Sequence, residues 1–125
     1  MKKLIIALIT IGMFISTNLN AAEPYLYLTK YTDDENDVTY FYGKKFRIKR
    51  RKRKTYHEVK VTFTLRESPP YRKVQYMRVL CLFKFYAKSK TELFAKFGKE
   101  DYCQVRKNTV GEDICLSAGV IAEQK

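Results

Sequence analysis

The sequence predicts an α+β domain: an antiparallel β-sheet of about four to six strands, with one short C-terminal helix packed on one face. Several segments alternate apolar and polar residues with a period of two, and a helix-capping sequence stands near the C-terminus. The 125 residues suffice for one domain and are too few for a multidomain enzyme. A 46% hydrophobic and 14% aromatic content excludes an intrinsically disordered chain.

The N-terminal segment is predicted to be a secretory signal peptide. Lys2 and Lys3 precede an apolar stretch at 4–15, which is shorter than the roughly 20 residues that a membrane-spanning helix needs. Small residues follow where a signal peptidase would cut. We therefore assign 1–21 to the signal peptide and 22–125 to a single domain without an integral membrane span. An exported protein is expected, in the periplasm, on the outer-membrane surface or secreted.

Alternation then predicts the first strands. One strand is expected at 24–31, before a polar turn at 32–37, and in the next Val38, Tyr40 and Tyr42 share one face. The clearest alternation lies at 55–65 and is typical of a half-buried antiparallel strand. Its inward side chains are predicted to be those of His57, Val59, Val61, Phe63 and Leu65.

Two prolines at 69–70 end this alternation, because proline cannot donate a hydrogen bond to a sheet ladder. A long strand is predicted at 71–86, and its middle, 79–83, is apolar on both faces. We expect an interior strand whose second face is covered by the C-terminal helix. Thr109-x-x-Glu112 is a capping-box sequence and predicts where that helix begins.

Residues 89–98 fit two structures. Ser89-x-x-Glu92, followed by apolar residues and Gly98, is typical of a short capped helix. On this local pattern we favour the helix. The same stretch alternates Leu93, Ala95 and Phe97 with polar residues, as a strand would. The pattern alone does not decide between them.

A dense basic run is the sharpest local feature of the sequence. Nine of the eleven residues at 44–54 are Lys or Arg, in a chain of net charge +12. Such a run cannot be core, and its place between two strands predicts a hairpin end that meets water or an anionic partner. The alternative is a merely solvated, solubilising loop. The predicted binding residues are Lys49, Arg50, Arg51, Lys52, Arg53 and Lys54.

The three cysteines, Cys81, Cys103 and Cys115, allow three single pairings, each leaving one thiol over. Export would permit a disulfide. We favour Cys81–Cys115 because this bridge would tie the helix to the central strand. By chain-entropy arithmetic, closing a loop of this length contributes about 3–4 kcal/mol. Cys103 would then be a free thiol or an intermolecular link.

Residue types for catalysis are scarce. His57 is the only histidine. A catalytic Cys–His pair also needs a third group that orients the histidine, and the sequence shows no recognisable set of this kind. Metal binding is not expected either, because no two candidate ligands have the close spacing of a zinc site. We predict no enzymatic activity and no cofactor.

The order of these features resembles the surface-adhesin protein E domain of Gram-negative bacteria. The resemblance covers residues 25–118, and short motifs carry it: Tyr40-Phe41-Tyr42, Val59-Lys60-Val61, a proline-containing turn, Gln75-Tyr76 shortly before Cys81, and Cys115 after a capped helix start. It implies an antiparallel sheet whose C-terminal helix is held by a Cys81–Cys115 bridge, with a strand at 91–97. It also implies adhesion to host matrix proteins through basic surface, here matched by Arg72 and Lys73.

The expected function is therefore that of an exported, adhesin-like binding protein. Its partners would be a host extracellular-matrix protein or an anionic glycan or lipopolysaccharide, engaged through basic surface. Nucleic acid is not expected, because the sequence shows no stacking platform, and a homodimer remains open. The alternative is a periplasmic inhibitor or immunity protein that blocks a secreted enzyme.

Overall fold

A computed structural model describes residues 23–68 and 75–124 of the chain. The elements are, in order, β1 (Leu26–Thr32), β2 (Val38–Lys52), β3 (Tyr56–Ser68), β4 (Gln75–Tyr86), β5 (Lys90–Phe97), β6 (Cys103–Gln104) and α1 (Val110–Glu123). The strands form one antiparallel sheet in sequential order, and α1 packs on one of its faces. The predicted fold class is confirmed. The predicted signal peptide, 1–21, and the prolines at 69–70 lie outside the described residues.

The hydrophobic core lies between α1 and one face of the sheet. Its central side chains are fully buried: Val61, Phe63, Leu65, Val79, Cys81 and Cys115. Helix residues Ile114, Ala118 and Ala122 pack against these side chains at the four-residue spacing of one helix face. The inward face predicted for β3 is correct from Val59 to Leu65, whereas His57 is exposed at the strand's start.

The Cys81–Cys115 disulfide joins the centre of β4 to α1, with the two Cα atoms 5.6 Å apart. The favoured pairing is therefore the one observed. Cys103 is an exposed free thiol on β6.

Strand β4 is interior, as predicted, but α1 covers only one of its faces. Val79, Cys81 and Phe83 point to the helix and are buried. Leu80 and Leu82 point to the opposite face and are only partly buried. The expectation that the helix covers the second apolar face is wrong, because a single helix cannot lie on both sides of one sheet.

The local preference for a helix at 89–98 is also wrong, since this segment forms β5. Ala87 and Lys88 both have positive φ, and the Ser89 amide donates to the Tyr86 carbonyl oxygen at 3.3 Å. This is the geometry of a type I′ hairpin turn, which returns the chain onto β4. The register pairs Phe83 with Leu93 and continues to Phe97, and this cross-strand pairing overrides the helix-capping sequence.

Helix α1 begins as its capping sequence predicts, with one difference. The Thr109 hydroxyl oxygen accepts from the Glu112 amide at 3.3 Å. In a full capping box the Glu112 carboxylate would accept from the Thr109 amide, but here it accepts from the Asn108 amide at 3.5 Å. The Thr109 hydroxyl in turn donates to the Arg106 carbonyl at 2.7 Å, which ties the preceding loop to the helix start.

Gly119 allows α1 to approach the sheet closely. A Cβ atom there would lie 2.8 Å from Cζ of the buried Phe83, whereas a Cβ on Gly111, also in α1, would meet nothing closer than 3.7 Å. Both Gly→Ala changes gain helix propensity, but only the one at 119 overpacks the core. Gly119→Ala is expected to be less stable than Gly111→Ala by about 1–3 kcal/mol in denaturant unfolding. Equal stability of the two variants would contradict this account of the helix contact.

Candidate functional site

The face of the sheet opposite α1, called here the open face, carries most of the unusual surface chemistry. Strand side chains alternate between the two faces, so every second residue of β2 to β5 lies on it. Core contacts of Phe46 and Ile48 assign those residues to the helix-covered face, which leaves their neighbours on the open face.

A β-bulge sets the direction of the basic run. The register moves from Lys44↔Thr64 to Arg47↔Thr62, so β2 holds one extra residue here, and Lys45 has a positive φ of 58°. The bulge turns Phe46 inward, where its ring stacks on Phe63 at 5.6 Å. Beyond the bulge the remaining residues of the run alternate between the two faces.

The basic run is thus mostly strand rather than loop. Arg47, Lys49 and Arg51 point to the open face at intervals of about 6.6–6.8 Å along β2. Arg50 and Lys52 point to the helix-covered side. Arg53 lies in the β2–β3 turn, where its amide donates to the Tyr56 carbonyl, and Lys54 follows it. The predicted hairpin end is confirmed for the last part of the run.

Three cations on neighbouring strands extend this surface, and they were missed by the sequence-based prediction. Lys60 of β3 pairs with Lys49, Lys84 of β4 pairs with Glu58, and Lys96 of β5 pairs with Leu80. Each belongs to an alternating strand, so its open-face orientation could have been derived from the pattern. Its position beside the basic run depends on the register. The combined set is called here the basic platform: Arg47, Lys49, Arg51, Lys60, Lys84 and Lys96.

Aromatic rings support the ammonium groups of the platform. Nζ of Lys84 lies 4.9 Å from the ring centre of Phe94 and 5.7 Å from that of Tyr56. Nζ of Lys60 and Nζ of Lys96 lie 5.7 Å and 5.9 Å from the ring centre of Tyr102. A ring face attracts a cation without neutralising it, so these amines are held in place while keeping their full charge.

Two acidic residues share the centre of this face, and each already has a partner. Glu58 forms an ion pair with Arg53, in which Arg53 Nε and Glu58 Oε2 are 3.9 Å apart. Glu92 accepts from the Tyr86 hydroxyl at 3.3 Å. Partial burial, and then the nearby Glu92 carboxylate, raise the pKa of Tyr86 above its ordinary 10, so the phenol stays a proton donor at neutral pH. Both carboxylates are also cross-strand neighbours of Lys84. The six cations of the platform outnumber these two carboxylates, so the face keeps a net positive charge.

The β4–β5 turn adds further positive charge at one end of the sheet. Tyr56 pairs with Tyr86, so the β2–β3 turn and the β4–β5 turn lie side by side. Lys88 lies in this second turn and Lys90 follows it at the start of β5, and both are exposed. The end of the sheet formed by these two turns is strongly cationic.

Arg72 and Lys73, the second pair of predicted binding residues, lie outside the described residues. The flanking residues Ser68 and Gln75 stand at the opposite end of the sheet from the β2–β3 turn.

Groups for covalent or metal chemistry are dispersed. His57 lies at the cationic end, paired with Lys52 and Phe85, while the free thiol of Cys103 stands three strands away on β6. Within residues 23–68 and 75–124, no group of three or more His, Cys, Asp or Glu is placed to hold a metal ion. In this same part of the chain, no helix has both the length and the apolar character needed to cross a membrane.

Comparisons with known proteins give no further lead. No protein-family model, no curated protein and no solved structure matches the chain.

Proposed function

We propose that this protein is an exported, adhesin-like binding protein that engages anionic polymers through the basic platform. Sulfated glycans and the phosphates of lipopolysaccharide have the required chemistry. The observation that carries the proposal is the gathering of six cations from four adjacent strands on one open face, where they outnumber the two carboxylates, Glu58 and Glu92.

Electrostatics explains why such a face favours a polymer over a single small anion. Cations about 5–7 Å apart on a rigid sheet repel one another, and a flexible anionic chain relieves this repulsion at several positions at once. Each ionic contact also releases condensed counterions from the polymer. The sheet holds the cations before binding, so little ordering entropy is lost.

The resemblance to the surface-adhesin protein E family supports the adhesin-like part of the proposal. Arg72 and Lys73 would provide a second basic contact for a host matrix protein. The predicted signal peptide at 1–21 supports the export of the protein.

The alternative, an inhibitor or immunity protein, would insert the β2–β3 hairpin into an acidic cleft. Such a role favours a hairpin that extends beyond its neighbours. Here the Tyr56↔Tyr86 pair keeps the β2–β3 turn beside the β4–β5 turn. This broad cationic end suits a polymer better than a narrow cleft, so we favour the polyanion.

Heparin chromatography of the mature protein tests the proposal. The variant Lys49→Thr/Arg51→Thr/Lys84→Thr removes three platform cations and is expected to elute at a much lower salt concentration than the parent. Threonine suits strands, so the fold should be preserved. A charge-matched control replaces the exposed Lys30, Lys99 and Lys107, which lie outside the platform. Equal losses in both variants, or no retention of the parent, would refute the proposal.

A further inference from the structure

Helix α1 does not cover all of the apolar face of the sheet. Part of this face stays uncovered near the end of the sheet formed by the β2–β3 and β4–β5 turns. A groove of about 240 Å³ remains between the helix and the sheet. Its lining is mostly apolar and consists of Val59, Phe83, Phe85, Thr91, Leu116, Gly119, Val120 and Glu123. This volume is below the roughly 300–1,000 Å³ of pockets that enclose drug-sized molecules.

Two exposed helix residues form one wall of this groove. Leu116 and Val120 are 44% and 57% exposed and stand one helical turn apart. The opposite wall includes Phe83 and Phe85, whose rings stack with centres 6.4 Å apart. An apolar chain lying between these walls would cover side chains that water now contacts, and this burial is the driving force for occupancy.

Cations flank the groove on the same side of the sheet. Arg50 is the cross-strand partner of Val59, which lines the groove, and Lys52 is the partner of His57, which in turn pairs with Phe85. Both side chains point to the helix-covered side and are exposed. Their long stems can follow this apolar face while the charged ends stay in water. The site therefore joins an apolar groove to positive charge.

We propose that this groove binds the acyl chain of a phosphate-bearing lipid, whose head group pairs with Arg50 and Lys52. Charge complementarity selects this occupant over a neutral apolar chain or peptide. The inference goes beyond polyanion binding and does not depend on it, because alternation assigns Arg50 and Lys52 to one face and Lys49 and Arg51 to the other.

Dodecyl phosphate, kept below its micelle concentration, is the probe for this site. Binding is followed by NMR shifts of the methyl groups of Leu116, Val120 and Val59, which give a Kd directly. Val59 also lines the groove and keeps its methyl groups in every variant below. Saturable shifts at all three residues are expected in the parent. Octyl phosphate should bind at least tenfold more weakly, because each buried methylene adds to the affinity. Inorganic phosphate and the neutral detergent dodecyl maltoside should both bind more weakly still or without saturation.

Matched variants separate this site from the basic platform. Arg50→Thr/Lys52→Thr should raise the Kd for dodecyl phosphate about fivefold or more, whereas Lys49→Thr/Arg51→Thr should leave it unchanged within twofold. Leu116→Gln/Val120→Gln alters only exposed positions and should abolish saturable binding in the folded protein. Glu123→Gln removes the carboxylate that lines the groove and should tighten binding about twofold.

Two results would overturn the inference. One is equal binding of dodecyl phosphate and dodecyl maltoside, which would mean that charge plays no part. The other is an unchanged Kd in Leu116→Gln/Val120→Gln, which would place the chain elsewhere. Heparin retention serves as the independent readout: its loss without loss of dodecyl phosphate binding would refute the proposed function alone, and the reverse would refute the groove alone.

Discussion

The double variant Cys81→Ala/Cys115→Ala is expected to have a free energy of unfolding about 3–4 kcal/mol lower than the parent. The bridge closes a loop with a sequence separation of 34, and its removal gives the unfolded chain more conformations. Small domains have a total stability of about 5–15 kcal/mol, so a large share of it would be lost. The melting temperature should fall by on the order of 15–25 °C.

Chemical denaturation followed by circular dichroism gives this difference, and Cys103→Ser is the matched control. Cys103 is exposed and unbridged, so its replacement should change the free energy of unfolding by less than about 0.5 kcal/mol. If the double variant were as stable as Cys103→Ser, packing of α1 rather than the bridge would hold the helix on the sheet.

Polyanion binding is expected to depend steeply on salt. With about six ionic contacts, affinity for a heparin oligosaccharide should fall on the order of a thousandfold between 50 and 200 mM salt. Replacing all six residues of 49–54 with glutamine removes Lys49 and Arg51 from the platform and four further charges beside it. This variant should bind much more weakly than the parent at the upper end of this range. The melting temperature should stay nearly unchanged, since these positions are exposed.

Fluorescence titration across the salt series measures both the affinity and its slope. The slope should flatten by about 0.9 for each contact removed, whereas the control at Lys30, Lys99 and Lys107 should keep the parent slope. A salt-independent affinity in the parent would identify binding that does not use the basic platform. Single-stranded DNA is titrated in the same salt series as a comparison ligand. Because nucleic acid is not the expected ligand, the protein should not bind DNA more tightly than heparin.

Local sequence was sufficient for those parts of the fold that local interactions stabilise. The alternation at 55–65 predicted β3 and its buried face from Val59 to Leu65, because strand side chains must alternate. The start of α1 followed from Thr109, whose hydroxyl meets an amide three residues away. The Cys81–Cys115 pairing also followed, once the helix was expected to lie on the central strand.

Local sequence failed where two structures had similar local support. Residues 89–98 contain residue types that cap helices, but hydrogen-bonded pairing with β4 outweighs this local signal, and the segment forms β5. Similarly, Val38, Tyr40 and Tyr42 do share a face of β2, yet the buried aromatic residue of that strand is Phe41. Which apolar face α1 covers depends on contacts between residues far apart in sequence, and a local pattern carries no information about them.

The candidate site shows the same division. The sequence by itself determined that residues 44–54 are too charged for a core, because like charges repel and their desolvation is costly. Only the tertiary structure decided that the bulge at Lys45 sends Arg47, Lys49 and Arg51 to the open face and Arg50 and Lys52 to the other. Strand register then brings Lys60, Lys84 and Lys96 beside them, and register depends on hydrogen bonds and packing between separate strands.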